Sequence, residues 1–423
     1  MQRSTEPGHS PQNQALGARD RTLVQLRKIA KKSLKRDLNQ NAVHGRFAFM
    51  SSIEVRKHAP GSQITDFLEV ARLVFRDDPN WVPPLNIMLK DQLSPKSPFF
   101  KHAEVMLFTA RRDGKLVGRI SAQIDREHLK RYQDDTGFFG FLDTIEDGEV
   151  VKELLAAARA WLKERGMKRM IGPMNLSVNQ EIGTLIEGFD TPPMVMMGHS
   201  RPYQDRLILE AGPVKCRDLY AWRWEATADM PKRSIKALAA MKEQGAVFRS
   251  ANLKTEIDEL IDIQDDAWRN NWGHVSMTPA EATQLRNELK LIIDPEIAIV
   301  VEIEGKAVGM ALAIPNLNEA ISDFEGTISA TKVAKLLWRL KVEHPRSARV
   351  AMLGIREHIR KQKQWMPLAL ALIAELNRRG YQRGYEWGEL SWTLEDNGPV
   401  NAMIRAAGGK IYKRYRVYET PLA

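Results

Sequence analysis

Apolar residues in this chain follow two spacings, and the alternation between them runs twice. From Ile64 to Phe75, residues Phe67, Leu68, Ala71, Val74 and Phe75 recur at three- and four-residue steps, which predicts a helix with one apolar face. Asp77-Asp78-Pro79-Asn80 stops it. Near-continuous apolar runs at Val105–Ala110 and Leu116–Ile124 flank Asp113-Gly114 and predict a hairpin, because Asp-Gly supplies the positive φ of a tight turn. Phe138–Leu142 reads as a third strand. Val151, Leu154, Leu155, Ala158 and Leu162 stripe a helix from Glu149 to Arg165, which Gly166 ends. Met170-Ile171 reads as a short buried strand.

The order then returns. Asp258-Glu259-Leu260 opens a helix that leads to Trp272, as Asp66-Phe67-Leu68 leads to Trp81. Ile297–Ile303 and Ala307–Ile314 form a hairpin around Glu304-Gly305, and Arg349–Gly354 is the next strand. A helix starts at Pro367, carries Ala369, Leu372, Ile373 and Leu376 inward, and ends at Gly380. Trp387–Trp392 is a strand. Each copy closes with Ala-Gly and an aromatic strand: Ala211-Gly212 to Trp224, then Ala407-Gly408 to Tyr418. The pattern predicts an α/β protein of mixed-sheet (α+β) type with a basic arm at 1–49, one domain at 50–225 and another at 226–423.

Unequal offsets locate the differences between the copies. The hairpin glycines Gly114 and Gly305 are 191 residues apart, the helix-ending glycines Gly166 and Gly380 are 214 apart, and Gly212 and Gly408 are 196 apart. The second copy therefore gains residues near Asn316–Arg346, with the apolar run Val333, Leu336, Leu337, Leu340 beside Trp338. The first gains residues over Pro173–Tyr203, with Met194-Val195-Met196-Met197. Inserts at the edges of a repeated core are where substrate loops sit.

Charge changes the picture only at the start. Residues 1–48 hold ten Lys/Arg against three acids, so +7 of the chain's net +10 lies in the arm. Within residues 21–38, Leu23, Leu26, Ala30, Leu34 and Leu38 alternate with cations, the pattern of a peripheral anchor on an anionic inner membrane. Met50 is an alternative start, directly ahead of a strand-like Ile53-Glu54-Val55. The body lacks a basic excess, which argues against nucleic-acid binding. No apolar run nears the ~20 residues of a membrane span, and no signal-peptide core precedes the body, so a cytoplasmic protein, peripheral on the inner membrane through its arm, is expected. The lone Cys216 suits a reducing compartment and a structural role. Metal-ligand spacings are absent, so no metal is expected.

The order of elements resembles the GNAT (GCN5-related N-acyltransferase) fold, taken twice. His102-Ala103-Glu104-Val105, Thr136-Gly137-Phe138-Phe139-Gly140-Phe141, Gly188-Phe189-Asp190-Thr191-Pro192-Pro193 and Trp387-Gly388-Glu389-Leu390-Ser391-Trp392-Thr393-Leu394-Glu395-Asp396-Asn397 resemble the tandem-GNAT group that includes the bacterial ceramide synthases. The likeness runs from about Ser52 to the C-terminus. It implies acyl-CoA as co-substrate and a lipid amine as acceptor, a long-chain base such as 3-oxosphinganine or sphinganine giving a (keto)ceramide. The inserts would shield the alkyl chains. A small-acyl acetyltransferase of an amine metabolite or protein is a second reading, and a non-catalytic GNAT-fold binding protein a third.

The resemblance also implies site residues. Pyrophosphate in this fold rests on the N-terminus of the helix after the fourth strand. Before Pro367, Arg356, Arg360, Lys361 and Lys363 supply cations, and Ile355, Gln364 and Asn397 complete the expected cofactor contacts. The first copy has Glu146, Asp147 and Glu149 there, which would repel phosphate, so the cofactor is assigned to the second copy. The usual glycines of a GNAT phosphate loop are missing between Gly354 and Gly380. An amine nucleophile needs a general base. Glu389, facing away from Leu390, and Asp396 are the candidates, with Tyr412 as the proton donor to the leaving thiolate. Asp396 and Asn397 also fit a helix cap. Asn175, Asn179 and Glu181 are expected to meet a polar head group. His199 and His358 read as surface or loop residues.

Overall fold

The computed structural model describes residues 52–61 and 64–422; the basic arm, with its expected anchor at 21–38, lies outside the described residues. In the first repeat the strands are β1 (Ile53–His58), β2 (Ala103–Arg112), β3 (Lys115–Asp125), β4 (Thr136–Thr144), β5 (Arg169–Gly172), β6 (Thr184–Glu187) and β7 (Val214–Glu225). The second supplies β8 (Val247–Ser250), β9 (Ala298–Ile303), β10 (Lys306–Pro315), β11 (Ser347–Ile355), β12 (Trp387–Leu394) and β13 (Lys410–Pro421). Among the helices are α1 (Thr65–Phe75), α2 (Gly148–Lys163), α3 (Ile257–Trp268), α4 (Ala330–Trp338), α5 (Leu368–Gln382) and α6 (Gly398–Ala406). The elements expected from periodicity all occur, but α5 runs through Gly380, which was expected to end it, to Gln382. The short β6 and β8 carried no apolar alternation long enough to mark them.

The thirteen described strands form one sheet in the order β1-β2-β3-β4-β5-β13-β7-β12-β11-β10-β9-β8, with β6 alongside β13. The repeats do not each close their own half. The first repeat's last strand, β7, pairs with β12 of the second, from Trp387↔Glu225 to Leu394↔Leu219. The second repeat's last strand, β13, pairs with β5 of the first, from Tyr418↔Gly172 to Pro421↔Arg169. The two exchanged strands also pair with each other. Tyr415, Val417 and Tyr418 of β13 are fully buried there.

The helices cover the two faces as their stripes require. Val150, Val151, Leu154, Leu155, Ala158 and Leu162 of α2 pack on Phe108, Ile120 and Ala122 of the first half. In the second half, Leu368, Ala371, Leu372 and Leu376 of α5 pack on Ile299, Val301, Ala348, Val350 and Leu390, while Leu260, Ile261 and Ile263 of α3 take the other face with Val300, Met310 and Met352. His102, ahead of β2, ties the repeats together. Its Nδ1 lies 3.0 Å from Asp125 Oδ1, and its Nε2 lies 3.4 Å from Glu281 Oε1 in the second repeat. These two carboxylates hold the imidazolium, raising its pKa to about 10.

A raised folded-state pKa stabilises fully below the unfolded value and is lost as pH rises through the folded one. Stability is therefore expected to fall between about pH 6.5 and pH 10, by on the order of 1–2 kcal/mol after allowance for solvent screening. His102→Gln should flatten that dependence in denaturant titrations run across this range.

Candidate active site

β11 and β12 run parallel but pair only from Ser347↔Trp387 to Val350↔Leu390. Beyond that point residues 351–355 and 391–394 part, leaving a fork in the sheet. A bulge lies at the parting. Val350 faces Ala313 and Met352 faces Leu312, so Ala351 has no partner on β10. Bulges of this kind free a strand N–H and re-aim neighbouring side chains.

Glu389 and Arg349 are register partners on the last paired steps of the fork. Ala348, Val350 and Leu390 point to the α5 side, so alternation sends Arg349, Glu389 and Ser391 to the opposite face. Glu389 is fully buried. Its Oε1 accepts a hydrogen bond from the Ser391 hydroxyl and its Oε2 one from the Tyr412 hydroxyl. Arg349 Nε lies 3.8 Å from the same carboxylate and donates to Ser391 Oγ at 2.7 Å. Burial raises the carboxyl pKa of Glu389 above the usual range, against the pull of Arg349 and of the two hydroxyl donors. Burial and the adjacent Glu389 charge keep Tyr412 protonated. Tyr412 reaches Glu389 because the register of β13 slips between Ile411 and Lys413, a second bulge, at that residue.

The first repeat contributes its insert. Arg349 Nη1 donates to Val195 O at 3.2 Å, and the insert is pinned from the other side by Asn316 Oδ1, which accepts from Val195 N–H at 3.2 Å, and by Asn318 Nδ2, which donates to Pro193 O at 2.9 Å. Lys413, also fully buried, donates to the carbonyls of Gly188 and Thr191, the latter at 2.7 Å. Burial brings its pKa down to about 8. Met194, Met197, Phe189, Trp387 and Trp392 make the surroundings apolar.

The corresponding fork of the first repeat is filled. β4 and β5 pair only over Thr136–Phe138 and Arg169–Ile171. The chain then turns back across the gap: Met174 N–H donates to Phe139 O at 2.7 Å, Phe141 N–H to Asn175 Oδ1 at 2.7 Å, and Gln123 Nε2 to Met174 O at 2.6 Å. Gly140 permits this approach, since a Cβ there would lie 2.0 Å from Met174 O. Gly140→Ala is expected to push the insert off β4 at a cost of about 1–3 kcal/mol, the usual range for overpacking. Because that insert also carries Val195, acyl transfer should fall with it; denaturant melts and turnover on one preparation check both.

The helix N-termini differ in the same sense. Asp147 caps α2, its side chain accepting from the N–H groups of Glu149 and Val150. α5 has no side-chain cap and stands behind Arg360, Lys361 and Lys363, all exposed. The first N–H groups of α2 are thus met by a carboxylate, while those of α5 meet no side-chain cap.

The expected residues fare unevenly. Glu389 and Tyr412 come together. Asp396 does not join them, being a surface residue paired with Arg217. Asn397 caps α6 by accepting from Val400 N–H at 3.4 Å. Ile355 is buried in the core and offers a ligand only its backbone. Arg356 is turned onto Asp262, at 2.7 Å, and Ala307 O, at 3.1 Å, by the packing of α3. Arg360 donates to Ala267 O at 3.2 Å, Lys361 pairs with Glu357 at 2.8 Å, and Gln364 bonds Gln362 at 3.3 Å.

Asn175 spends its amide on Phe141 and on Glu181 Oε2, the latter at 2.8 Å, and Asn179 donates to Val275 O at 3.3 Å. Of the three expected head-group residues only Glu181, its pKa raised by burial, acts electrostatically on Arg349 and Tyr415. His199 is a loop residue, as one of the two expected readings had it, but its ring is sealed in with Nε2 2.9 Å from Asp78 Oδ2. The apolar insert of the second repeat does not bury its helix either, since α4 has no buried residue and only Leu336 and Leu340 reach the core.

The chain is 38% identical to the bacterial ceramide synthase of Caulobacter vibrioides (strain NA1000 / CB15N) over 380 residues, covering 89% of this chain and 98% of that protein. The chain belongs to the bacterial ceramide synthase family. It is also 38% identical to Protein YghO of Escherichia coli (strain K12), over 86% of this chain and 94% of that protein. No protein-family model matches. Among solved structures, the tandem GNAT protein from the clavulanic acid biosynthesis pathway, without AcCoA, superposes on 88% of this chain and 99% of its own with a TM-score of 0.51 at 12% identity, which shows the shared fold. This ceramide synthase relative is thus an N-acyltransferase built as two GNAT units. Among its described residues no helix is long and apolar enough to cross a membrane.

Within this ceramide synthase fold, sequence reasoning missed Arg349, Ser391, Lys413 and Tyr415. Arg349 did leave a signal, a lone cation on an otherwise apolar strand, which is costly unless paired; Lys413, on a strand that also carries Lys410, Arg414 and Arg416, did not stand out. Ser391 left none.

Proposed function

We propose that this chain transfers the acyl group of a long-chain acyl-CoA to the amine of a sphingoid base, 3-oxosphinganine or sphinganine, to form a (keto)ceramide. The observation that carries the reading is the fully buried Glu389, clamped by Tyr412 and Ser391 at the fork of β11 and β12. A carboxylate with a raised pKa is suited to take a proton from an ammonium group near neutral pH. The neutral amine attacks the thioester carbonyl carbon and the C–S bond breaks. Glu389 passes the ammonium proton on to solvent; the proton that the attacking nitrogen then loses goes to Glu389 and from there to the departing thiolate, with Tyr412 orienting the carboxylate. Ala351, which the bulge leaves without a register partner on β10, carries the N–H we assign to the thioester oxyanion. The uncapped start of α5, with Arg360, Lys361, Lys363 and Gln364 before it, would take the pyrophosphate. Met194, Met197, Trp387 and Trp392 would line the path of an alkyl chain.

The test is purified protein given palmitoyl-CoA or acetyl-CoA with sphinganine, 3-oxosphinganine or a short amine. Amide formation from the long-chain pair is expected. No transfer to either long-chain base would overturn the reading, and a preference for acetyl-CoA with short amines would establish a small-acyl transferase instead.

A further inference from the structure

Helix α4 and the turn after it expose apolar side chains that the core does not need. Leu336 and Leu340 already pack inward. On the outside, Val333 is 41% exposed, Leu337 45%, Trp338 55% and Val342 53%. The helix is well formed without them, because Ser329 caps it by accepting from Lys332 N–H. Such surplus exposure marks an interaction surface. The short helix Asn86–Gln92, which exposes Ile87 and Met88, is tied to the base of the same insert by Asn86 N–H donating to Gly326 O at 2.8 Å.

Charge decides the occupant. From Gly326 to Val342 the insert holds Lys332, Lys335, Arg339 and Lys341 and no acid. Lys335 and Arg339 share the single carboxylate of Asp323, and Glu325 and Glu343 flank the segment, the latter accepting from Trp338 Nε1 at 3.2 Å, so four cations against three acids leave a net +1 over residues 323–343. A second copy of this chain would bring the same sign to the same patch, and so would the chain's own basic arm. An anionic lipid surface brings the opposite one. Exposed Trp, aliphatic residues and flanking cations are the composition of an element that lies in a headgroup layer.

We infer that α4 and the following turn to Val342 seat the folded body on an anionic lipid surface. The insert leaves β10 at Pro315 and enters β11 at Ser347, two residues before Arg349. Asn316 and Asn318 bond the Pro193–Val195 segment that also contacts Arg349. The contact thereby sets one edge of the Glu389 site beside the bilayer, where a lipid amine and an acyl product would be exchanged. The inference concerns binding and stands apart from the substrate assignment above.

The test uses the full chain with Cys216→Ser and a single new cysteine, Leu337→Cys or, as a control on an exposed helix end elsewhere, Glu164→Cys, each labelled with the polarity-sensitive fluorophore NBD. Vesicles are phosphatidylcholine alone or phosphatidylcholine with phosphatidylglycerol. Emission at position 337 is expected to rise and move to the blue only with phosphatidylglycerol present, and position 164 is expected to stay unchanged. Leu337→Glu with Trp338→Glu should weaken vesicle binding about fivefold or more with an unchanged melting temperature. Four results would each overturn the inference. They are no vesicle binding, binding with no change at 337 (the arm alone makes the contact), a change at 337 without vesicles as protein concentration rises (a second copy covers the patch), and an equal change with neutral vesicles.

Discussion

Glu389→Gln is expected to lower kcat/KM for acyl transfer by about 10²–10⁴, the range a positioned general base contributes. The amide keeps the shape of the side chain: its oxygen can accept from one of the Ser391 and Tyr412 hydroxyls, which donate to the two carboxylate oxygens, and its NH2 can donate to the other. The fold should therefore persist, and a circular dichroism melt close to that of the parent separates loss of chemistry from loss of structure. The pH profile adds a second check. Burial raises the Glu389 pKa, so the protonated, inactive form extends to a higher pH than for an ordinary carboxyl. The parent should lose activity as pH falls through that raised value, and Glu389→Gln should lack this limb. A variant that kept parental activity would remove Glu389 from the chemistry.

Neither repeat is expected to fold alone. β7 fills the second half's sheet beside β12, and β13 fills the first half's beside β5. Residues 50–225 made separately would leave β5 without its neighbour, and residues 226–423 would leave β12 without its own. Each would expose a long central edge and the seats of side chains such as Tyr415 and Tyr418, which are wholly buried in the intact chain. Losing several such contacts removes more than the 5–15 kcal/mol that usually holds a domain folded. Truncation after Gly409 should be equally damaging. Co-expression of the two halves should recover a soluble complex, because the exchanged strands still have their partners. A monomeric, cooperatively melting 226–423 would refute the role given to the exchange.

Legibility in the sequence followed locality. The stripe Val151, Leu154, Leu155, Ala158, Leu162 marks α2 because helix period is a property of neighbouring residues. Glu389 could be aimed away from Leu390 because strand alternation is equally local. The acids Glu146, Asp147 and Glu149 at the start of α2 and the cations before α5 were legible as a difference in charge, and Asp147 spends itself as a cap. The chain partners of Glu389 were not legible. Arg349 lies 40 residues before it and Tyr412 23 after it on a strand two places away in the sheet, and only sheet order and a bulge bring them together. Asp396 looked as good as Glu389 from sequence, yet a few residues beyond the strand its carboxylate points to solvent and Arg217.

The sequence by itself determined a doubled α/β chain, the type and order of its main elements, and the unequal charge before the two crossover helices. The tertiary structure decided which half each closing strand completes, since β7 and β13 share one aromatic, alternating pattern and local sequence cannot choose between two equivalent slots. It also decided that the first fork is filled by its own insert, whose Pro193–Val195 segment reaches on to Arg349 at the second. That outcome depends on a contact between Gly140 and Met174, 34 residues apart, and no periodicity records it.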